Sequence, residues 1–474
     1  MYFIIPFLLL LVKISRAQTP TSSSIILSGS NALGSSIPYF GGDLVPTGSG
    51  VSYISYSTTS SINGSIPLLE ATLAVANGST SPTSSHSTSS TSFSLLQGSV
   101  GASTTTSLNS TASGNSTATR TTSSSATPTN TQPCNNYPEF CDRKYSNITY
   151  VAAHNSPFVN PNNAASNQEL GVIDQLNDGI RMLQGQTHYN ATTNTISYCH
   201  TSCDLLNAGT AESYFTDVTN WIRAHPYDVV TILIGNSDLI AVGNYSAPLE
   251  QSGLSKYAYV PPQVPMNISS WPTLASMILM GKRAVIFMDY NANQTEVPYI
   301  LDEFSQMWET PFSPTNRSFP CTQQRPPGLS TKDAEQRMYM ANHNLNTEIS
   351  LEGSSLLIPT TTLINQTNAV NGTGSLGLMA NDCAGTDPPH LSEAKSLLIM
   401  VPADWIRPPN FLLVDYYNLG SFPGSVFEVA AQQNNVTYNR PCCGIVPSLA
   451  SLEKSFKPML PITGFTMFLL WIMS

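Results

Sequence analysis

Two histidines and an arginine have the residue types and settings that acid–base chemistry on a phosphoryl group requires. His154 stands in the sequence Tyr-Val-Ala-Ala-His-Asn-Ser, His200 in Tyr-Cys-His-Thr-Ser-Cys, and Arg181 lies between them in Gly-Ile-Arg. Near neutral pH a histidine can act as either base or acid, and an arginine can hold two phosphoryl oxygens bidentately. With His154 as base, His200 as acid and Arg181 as clamp, the three residues form a minimal set for cleaving a phosphodiester.

Each histidine follows a short run of apolar or β-favouring residues, which predicts that it lies where a strand gives way to a loop. Strands are predicted at residues 148–153, 180–183, 229–234, 284–288 and 411–414, and helices at 167–176, 211–224, 297–308, 333–349, 391–400 and 425–432. Alternating strands and helices indicate βα units and a parallel sheet. A (β/α)8 barrel would place the histidines at the rim where active sites are built. A doubly wound open sheet is the alternative, although no Gly-x-Gly-x-x-Gly follows the first strand.

The composition divides the chain into four parts. Residues 1–17 are apolar and end in Ser-Arg-Ala, which predicts a secretory signal peptide. Residues 18–133 are rich in Ser and Thr and predict a disordered, O-glycosylated stalk. Residues 134–447 carry the ordered domain. Residues 448–474 combine small residues, a polar spacer and a short apolar end, which predicts a GPI-attachment signal; a short membrane anchor or a packed apolar terminus are the alternatives.

Charge and cysteine usage indicate a surface or secreted protein. Only 10% of the residues are charged and the net charge is -10, so no basic surface is expected for a nucleic-acid partner. Thirteen Asn-x-Ser/Thr sequons agree with passage through the secretory pathway. The eight cysteines predict disulfides, with local pairs Cys134–Cys141 and Cys199–Cys203; a zinc site is the alternative.

The segments around the two histidines and the arginine resemble the catalytic X-region of phosphatidylinositol-specific phospholipase C, and more closely the secreted fungal PLC-like phosphodiesterases. The family's strand ending in His-Asn or His-Asp matches His154-Asn155, its Gly-x-Arg strand matches Arg181, and its second histidine matches His200. The similarity extends from about Cys134 to Cys443. It implies a distorted TIM (β/α)8 barrel, here preceded by the Ser/Thr-rich stalk, and hydrolysis of phosphoric diesters.

The chain departs from the family where its calcium-dependent members bind metal. Those enzymes continue the Gly-x-Arg strand into Glu-x-Asp, whereas this chain has Gln184-Gly185-Gln186, and Asn236 occupies the stretch of a later family glutamate. Neutral amides balance a hard dication less well than carboxylates. We therefore expect neither a metal nor another cofactor. Metal-free bacterial relatives place an arginine near the position of Gln186, so here Arg181 would have to serve as the phosphate clamp.

Further polar residues are candidates for substrate contacts. Asp289 and Asp415 each follow an apolar strand, and either could orient a histidine. Asn155, Gln186 and Asn236 are candidates for positioning substrate. The same residues also have structural interpretations, such as helix caps, hydrogen-bonded core histidines or, for Arg181, a barrel ion pair.

The sequence therefore predicts a phosphoric diester hydrolase that acts on a phospholipid or a small glycerophosphodiester. It would be secreted or held at the cell surface, with membrane association through a GPI anchor. One alternative is a non-catalytic cell-surface or cell-wall scaffold that retains the barrel. Another is a hydrolase of a different kind, in which Asp289 and Asp415 pair in the pocket and the histidines are peripheral.

Overall fold

The computed structural model describes residues 51, 53–54, 60–62, 132–351, 354–385, 405, 407–440 and 442–443. All of them belong to the larger of two compact units, which comprises Met1–Gly64 and Asn130–Ser474. The predicted signal peptide, most of the predicted stalk, the predicted helix at 391–400 and the predicted GPI signal lie outside the described residues.

Eight parallel strands form the central sheet. In chain order they are β2 (Tyr150–Ala153), β3 (Met182–Asn190), β6 (Val230–Asn236), β8 (Ala284–Met288), β9 (Ile300–Asp302), β10 (Met307–Glu309), β11 (Met338–Asn342) and β14 (Phe411–Val414). The remaining strands are β1 (Ser60–Ser61), β4 (Thr195–Cys199), β5 (Asn207–Thr210), β7 (Gln263–Val264), β12 (Asn346–Leu351) and β13 (Ser354–Pro359). The hydrogen-bonded order β10-β11-β14-β2-β3-β6-β8-β9 follows the chain around a barrel. Among the described residues no ladder joins β9 to β10, so the (β/α)8 arrangement is distorted there.

Helices pack around these strands. They are α1 (Val172–Asp178), α2 (Ala211–Ala224), α3 (Ser246–Gln251), α4 (Leu274–Leu279), α5 (Glu303–Gln306), α6 (Thr331–Glu335), α7 (Ile364–Thr367), α8 (Leu376–Ala384) and α9 (Val426–Gln433), with 3-10 turns at Pro138–Phe140, Tyr145–Asn147, Val242–Tyr245, Leu254–Tyr257, Ile268–Ser270 and Thr361–Leu363. The side chain of Thr210 accepts a hydrogen bond from Ser213 N and caps α2. The α/β barrel class predicted from the sequence is confirmed.

Alternate residues of the strands pack into two apolar clusters. On β2, Val151 and Ala153 belong to the cluster shared with the helices, while Tyr150 and Ala152 belong to a second cluster. The second cluster contains Tyr145 and Trp271, whose ring centroids are 5.0 Å apart.

The five predicted strands are confirmed, but two predicted helices are wrong. Residues 297–308 form β9, α5 and most of β10, and residues 333–349 contain the end of α6, all of β11 and part of β12. All five residues of β11 are buried, so the sequence has no alternation of apolar and polar residues to mark a strand. The predicted helices 211–224 and 425–432 correspond to α2 and α9, whereas α1 begins five residues after the predicted start at 167.

Some residues within the predicted stalk contact the barrel. Strand β1 pairs antiparallel with β7. The ring of Tyr53 lies edge-on to Phe304 with centroids 4.9 Å apart, and its centroid is 5.8 Å from that of Tyr290. Residues 51–62 therefore include contacts with the barrel.

All eight cysteines form disulfides, and the two predicted local pairs are confirmed. The bonds are Cys134–Cys141, Cys199–Cys203, Cys321–Cys383 and Cys442–Cys443. In the part of the chain that the structure describes, no helix has the length and apolar character needed to span a membrane.

Candidate active site

His154 and Asp415 form a hydrogen-bonded pair at the carboxyl ends of two adjacent strands. Ala153, the last residue of β2, is in register with Val414, the last residue of β14, so the next residue of each strand lies beside the other. The Nδ1 atom of His154 is 2.7 Å from Oδ1 of Asp415. The side chain of Asp415 is 1% exposed and that of His154 is 13% exposed. Asp415 is therefore buried behind a histidine that remains accessible.

Three further residues fix this pair. Asn167 donates from Nδ2 to Asp415 Oδ1 at 2.9 Å, and Gln168 donates from Nε2 to the His154 carbonyl at 2.8 Å. Asn344 Nδ2 lies 3.5 Å from His154 Nε2. A carboxylate at Nδ1 favours the tautomer with its proton on Nδ1. The lone pair of Nε2 is then available as a base.

His200 follows β4 and packs under the loop that begins after His154. Its ring centroid is 5.1 Å from that of Phe158, and its backbone N–H donates to Leu206 O at 2.9 Å. Burial, and then the charge of nearby His154, lower the pKa of His200 to about 3, against a smaller raising effect of a hydrogen bond to the Ala165 backbone. His200 is thus neutral in the free protein at ordinary pH.

Gln184 and Gln186 on β3 hold the backbone next to each histidine. Gln184 Oε1 accepts from Asn155 N at 2.7 Å, and Gln186 Oε1 accepts from Thr201 N at 3.0 Å. Gly185, between them, leaves room for its neighbours, because a Cβ there would lie 2.8 Å from the Tyr198 ring. The two amides therefore anchor the backbone next to each of the two histidines. Because Gln186 Oε1 already accepts from the Thr201 backbone, the substrate contact predicted for Gln186 stays a prediction.

Several buried polar atoms around the pair have no hydrogen-bond partner in the described structure. They are Oδ1 of Asn155, Asn167 and Asn344, Oδ2 of Asp415 and Nδ1 of His200. Burying such atoms without a partner is unfavourable by about 1–3 kcal/mol each. Their grouping indicates a place for a polar ligand or for water. We call this region, comprising His154, Asn155, Asn167, His200, Asn344 and Asp415, the histidine site.

Arg181 does not reach the histidine site, which corrects its prediction as the phosphate clamp. It precedes β3 and therefore lies at the amino end of the barrel. Its Nη2 and Nε both contact Asp228 Oδ1, at 2.7 and 3.1 Å, and Nη1 donates to the carbonyls of Leu176 and Ile180. Arg181 and Asp228 therefore form the barrel ion pair stated above as the structural alternative for Arg181.

Asn236 is engaged with the protein, whereas Asp289 is partly exposed and is held through one carboxylate oxygen. Asn236 donates to Ile240 O and Tyr290 O and accepts from Ile240 N and Tyr245 Oη. Asp289 Oδ1 accepts from the backbone N–H groups of Asn236 and Tyr290, each at 2.8 Å. Because Asp415 pairs with His154, and β8 and β14 are not neighbours in the sheet, the expected Asp289–Asp415 pair of the alternative hydrolase is wrong.

A second polar group lies at the carboxyl ends of β8, β9 and β10. Arg325 Nη1 is 3.0 Å from both carboxylate oxygens of Glu309, and Nη2 donates to Tyr290 Oη at 2.6 Å. Burial raises the pKa of Asp289 to about 6, and burial together with Glu309 raises that of Glu303 well above its usual range. We call Asp289, Tyr290, Glu303, Glu309 and Arg325 the arginine cluster.

No arginine or lysine of the described residues forms a hydrogen bond or ion pair with His154, His200 or Asp415. Sequence reasoning missed Asn167, Gln168 and Asn344. Asn344 follows β11, a strand that the sequence predicts as helix. Asn167 and Gln168 lie in a loop, and no local sequence pattern indicates that this loop folds back against His154.

Comparisons with known proteins identify a family model and relatives that this chain resembles. The family model described as PI-PLC X 1 matches residues 140–429. A protein of Arthroderma benhamiae named "Uncharacterized secreted protein" is 54% identical over 434 residues, which are 92% of this chain and 89% of that one. A second protein of the same fungus, "PI-PLC X domain-containing protein 1", is 41% identical over 252 residues, 53% of this chain and 79% of that one.

Among solved structures, a mutant phosphatidylinositol-specific phospholipase C from Staphylococcus aureus is similar with a TM-score of 0.35 and 12% identity, over 63% of this chain and 95% of that one. The corresponding enzyme from Listeria monocytogenes has a TM-score of 0.35 and 10% identity, over 65% of this chain and 98% of that one. From the family match and the 54% identical relative, the chain belongs to the PI-PLC X domain family.

Proposed function

We propose that this protein is a phosphoric diester hydrolase in which His154, oriented by Asp415, is the general base and His200 the general acid. The observation that carries the proposal is the 2.7 Å contact between His154 Nδ1 and buried Asp415, which leaves Nε2 as a base in an accessible position. Membership of the PI-PLC X domain family supports chemistry of this class.

The reaction begins with proton transfer to His154. Where the substrate carries a hydroxyl next to its phosphoester, as in an inositol lipid, Nε2 takes the hydroxyl proton and the oxygen attacks phosphorus. The bond from phosphorus to the other ester oxygen breaks, and His200 gives that oxygen a proton. A cyclic phosphodiester forms first. Water then opens the ring, with the two histidines in exchanged roles. A glycerophosphodiester with a free neighbouring hydroxyl can follow the same course.

His200 must become protonated before it can act as the acid. In the free protein, burial and the neighbouring histidine lower its pKa to about 3. A bound phosphodiester brings a negative charge next to the ring, and an opposite charge at short range favours the charged form. Substrate binding therefore raises the pKa of His200 and is coupled to uptake of a proton.

The residues on β3 support chemistry without a divalent cation. The amide oxygens of Gln184 and Gln186 already accept backbone hydrogen bonds at 2.7 and 3.0 Å. A hard cation prefers several charged oxygens, and neutral oxygens that are already in use are poor ligands.

A non-catalytic scaffold is the second candidate, and one observation favours it. None of the hydrogen bonds or ion pairs in the described chain brings an arginine or lysine to the histidine site. A scaffold would keep the barrel without the cation that phosphoryl transfer ordinarily uses.

We also propose that the protein is exported and held at the cell surface by a GPI anchor. Export is supported by the apolar residues 1–17, by four disulfides and by the name of the 54% identical relative. The apolar residues at 465–473 support the anchor.

The test is an assay of the exported protein on phosphatidylinositol vesicles and on a soluble glycerophosphodiester, with and without EDTA. His154→Ala and His200→Ala are compared with Arg181→Met, which changes a charged residue outside the histidine site. Activity that resists EDTA, disappears in both histidine variants and persists in Arg181→Met is expected. Activity retained by either histidine variant overturns the mechanism, and a folded wild type inactive on both substrates favours the scaffold.

A further inference from the structure

A cavity of about 830 Å³ lies between the N-terminal segment and the loops that follow β6 and β8. Its walls include Ile54, Ile62 and Val264, together with Asn293 and Gln294 from the loop after β8. None of these residues belongs to the histidine site. The volume falls within the roughly 300–1,000 Å³ range of cavities that bind ligands of drug size.

The cavity combines apolar walls with a polar group that lacks a partner. Ile54, Ile62 and Val264 supply apolar surface, while Gln294 is 7% exposed and its Nε2 has no hydrogen-bond partner. Gln294 Oε1 accepts from Asp302 N at 3.2 Å, so the amide is fixed with Nε2 as the unused end. An unused buried donor is unfavourable. The walls also carry the polar side chains of Asn293 and Glu296, so a ligand with both apolar faces and polar groups would suit them.

Asn293, at the exposed edge of the cavity, begins an Asn-Gln-Thr sequon. Its Oδ1 accepts from Thr295 N at 3.1 Å and from Thr295 Oγ1 at 2.6 Å, and within the described residues its Nδ2 donates no hydrogen bond. Two other sequon asparagines differ in this respect, since Asn244 Nδ2 donates to Ala241 O and Asn267 Nδ2 donates to Gln336 Oε1. The atom that would carry a glycan is therefore available at Asn293.

We propose that Asn293 carries an N-linked glycan and that the first sugars of this glycan occupy the cavity. Sugar rings have apolar faces that match the isoleucine and valine walls, and hydroxyl groups that suit the polar side chains of Asn291 and Glu296 on the same walls. In the modification, Asn293 Nδ2 attacks the anomeric carbon of a polyprenyl-diphosphate-linked oligosaccharide. The new C–N bond replaces the C–O bond to the diphosphate, which leaves, and Nδ2 loses one proton. The proposal rests on the proposed export of the chain.

The glycan would join the N-terminal segment to the barrel. Strand β1 pairs with β7 through only two residues, Ser60 and Ser61. Ile54 and Ile62 line one side of the cavity, and Asn293 and Gln294 lie in the loop after β8. Sugars between these walls would contact both, so their removal should loosen residues 51–62.

The experiment uses the secreted full-length protein, with and without the sequon. Asn293→Gln and Thr295→Ala each remove the sequon, Thr295→Ser keeps it, and Asn190→Gln removes the sequon of the β3–β4 hairpin, away from the cavity. Glycopeptide mass spectrometry reports occupancy, and hydrogen exchange reports the protection of residues 51–62. We expect an occupied Asn293 and exchange in this segment that is several-fold faster in both sequon-removing variants, but not in Thr295→Ser or Asn190→Gln.

Each other outcome has a defined meaning. An unmodified Asn293 beside an occupied Asn190 overturns the site while leaving export intact. An occupied Asn293 whose loss leaves exchange unchanged overturns the placement of the sugars in the cavity. If the protein remains inside the cell, the proposed export fails; if it is secreted with no sequon occupied, the glycan proposal fails while export stands. As a control, the glycan is removed enzymatically from the folded wild type and hydrogen exchange is measured again. Because this sample carries no substitution, a folding defect cannot produce the faster exchange.

Discussion

The histidine site and the arginine cluster both lie at the carboxyl end of the barrel, yet they differ in what they leave accessible. In the histidine site, the side chain of His154 is 13% exposed and several amide and carboxylate oxygens lack partners. In the arginine cluster, Arg325 and Glu309 are 3% and 1% exposed and neutralise each other, and the carboxylate of Glu303, which also lacks a hydrogen-bond partner, is fully buried. Tyr53 and Phe304 pack beside Tyr290, at the edge of the cluster. A position at the barrel rim is therefore not enough for catalysis, because the group must also be reachable and not already paired.

Substituting one aspartate in each region gives the largest expected contrast. Asp415→Asn removes the carboxylate that sets the His154 tautomer, and we expect kcat/KM to fall by about 10³- to 10⁴-fold, as for the aspartate of a catalytic triad. Asp289→Asn is the matched control in the arginine cluster, and its kcat/KM should change little. Steady-state kinetics on both folded variants make the comparison, and equal losses would show that the two regions act as one site.

Breaking the arginine cluster should affect stability rather than catalysis. Arg325→Met leaves Glu309 buried without its partner, and we expect the free energy of unfolding to fall by about 3–5 kcal/mol. Denaturant unfolding measures this loss. The double variant Arg325→Met/Glu309→Leu removes both charges and should recover part of it. A single variant as stable as the wild type would contradict the burial of this pair.

The pH dependence of stability should have opposite signs in the two regions. The pKa of Asp289 is raised from 3.8 to about 6. The stability that Asp289 contributes to the folded state is therefore present below about pH 4 and is lost as the pH rises to about 6. The pKa of His200 is lowered from 6.5 to about 3, so its contribution is present above about pH 6.5 and is lost as the pH falls.

These signs are tested by measuring the free energy of unfolding from pH 4 to pH 7 for wild type and for a variant of each residue, and by comparing the two at each pH. The stability of wild type minus that of Asp289→Asn should fall with rising pH, by up to about 3 kcal/mol. The stability of wild type minus that of His200→Gln should rise over the same interval. If both stability differences changed with pH in the same direction, burial would not shift the pKa of one of the two groups in the direction given above.

The β3 glutamines test how finely the histidine site is positioned. Gln184→Ala frees the Asn155 backbone and Gln186→Ala frees that of Thr201, and we expect kcat to fall by about 10-fold or more, with KM little changed. Gln432→Ala, on the exposed side of α9, is the control. A change in KM alone would instead indicate that the glutamines contact substrate.

Arg181→Met should have the smallest effect on activity. The substitution breaks the ion pair with Asp228 at the amino end of the barrel, so we expect unfolding to become easier by about 1–3 kcal/mol while kcat/KM of the folded protein stays near that of wild type. A large loss of kcat/KM without a loss of stability would instead indicate that Arg181 takes part in the reaction.

The two regions also differ in how far the sequence predicted them. Strands β2 and β14 are apolar runs followed directly by His154 and Asp415, so both the strands and the side chains at their ends were predictable. The pairing of these two residues was not, because it depends on β2 and β14 being neighbours although they are far apart in the chain.

Strands β9 and β10, which carry the arginine cluster, have three residues each and flank the short helix α5, so their combined pattern resembles one helix. Arg325 lies in a loop that follows β10, and no local pattern connects it to Glu309. The error over Arg181 has a different cause. It stands at the start of its apolar run, and strand direction places that end opposite the rim.

The Cys199–Cys203 bond encloses His200 in a loop of five residues. Gln186 holds the same loop through the Thr201 backbone, so the proposed acid is positioned by one covalent link and one hydrogen bond. We expect a chain with reduced cysteines to fold around its barrel but to position His200 poorly. A protein molecule retained in the reducing cytosol would then not hydrolyse the cell's own phosphodiesters. Formation of the Cys199–Cys203 bond after export would activate it.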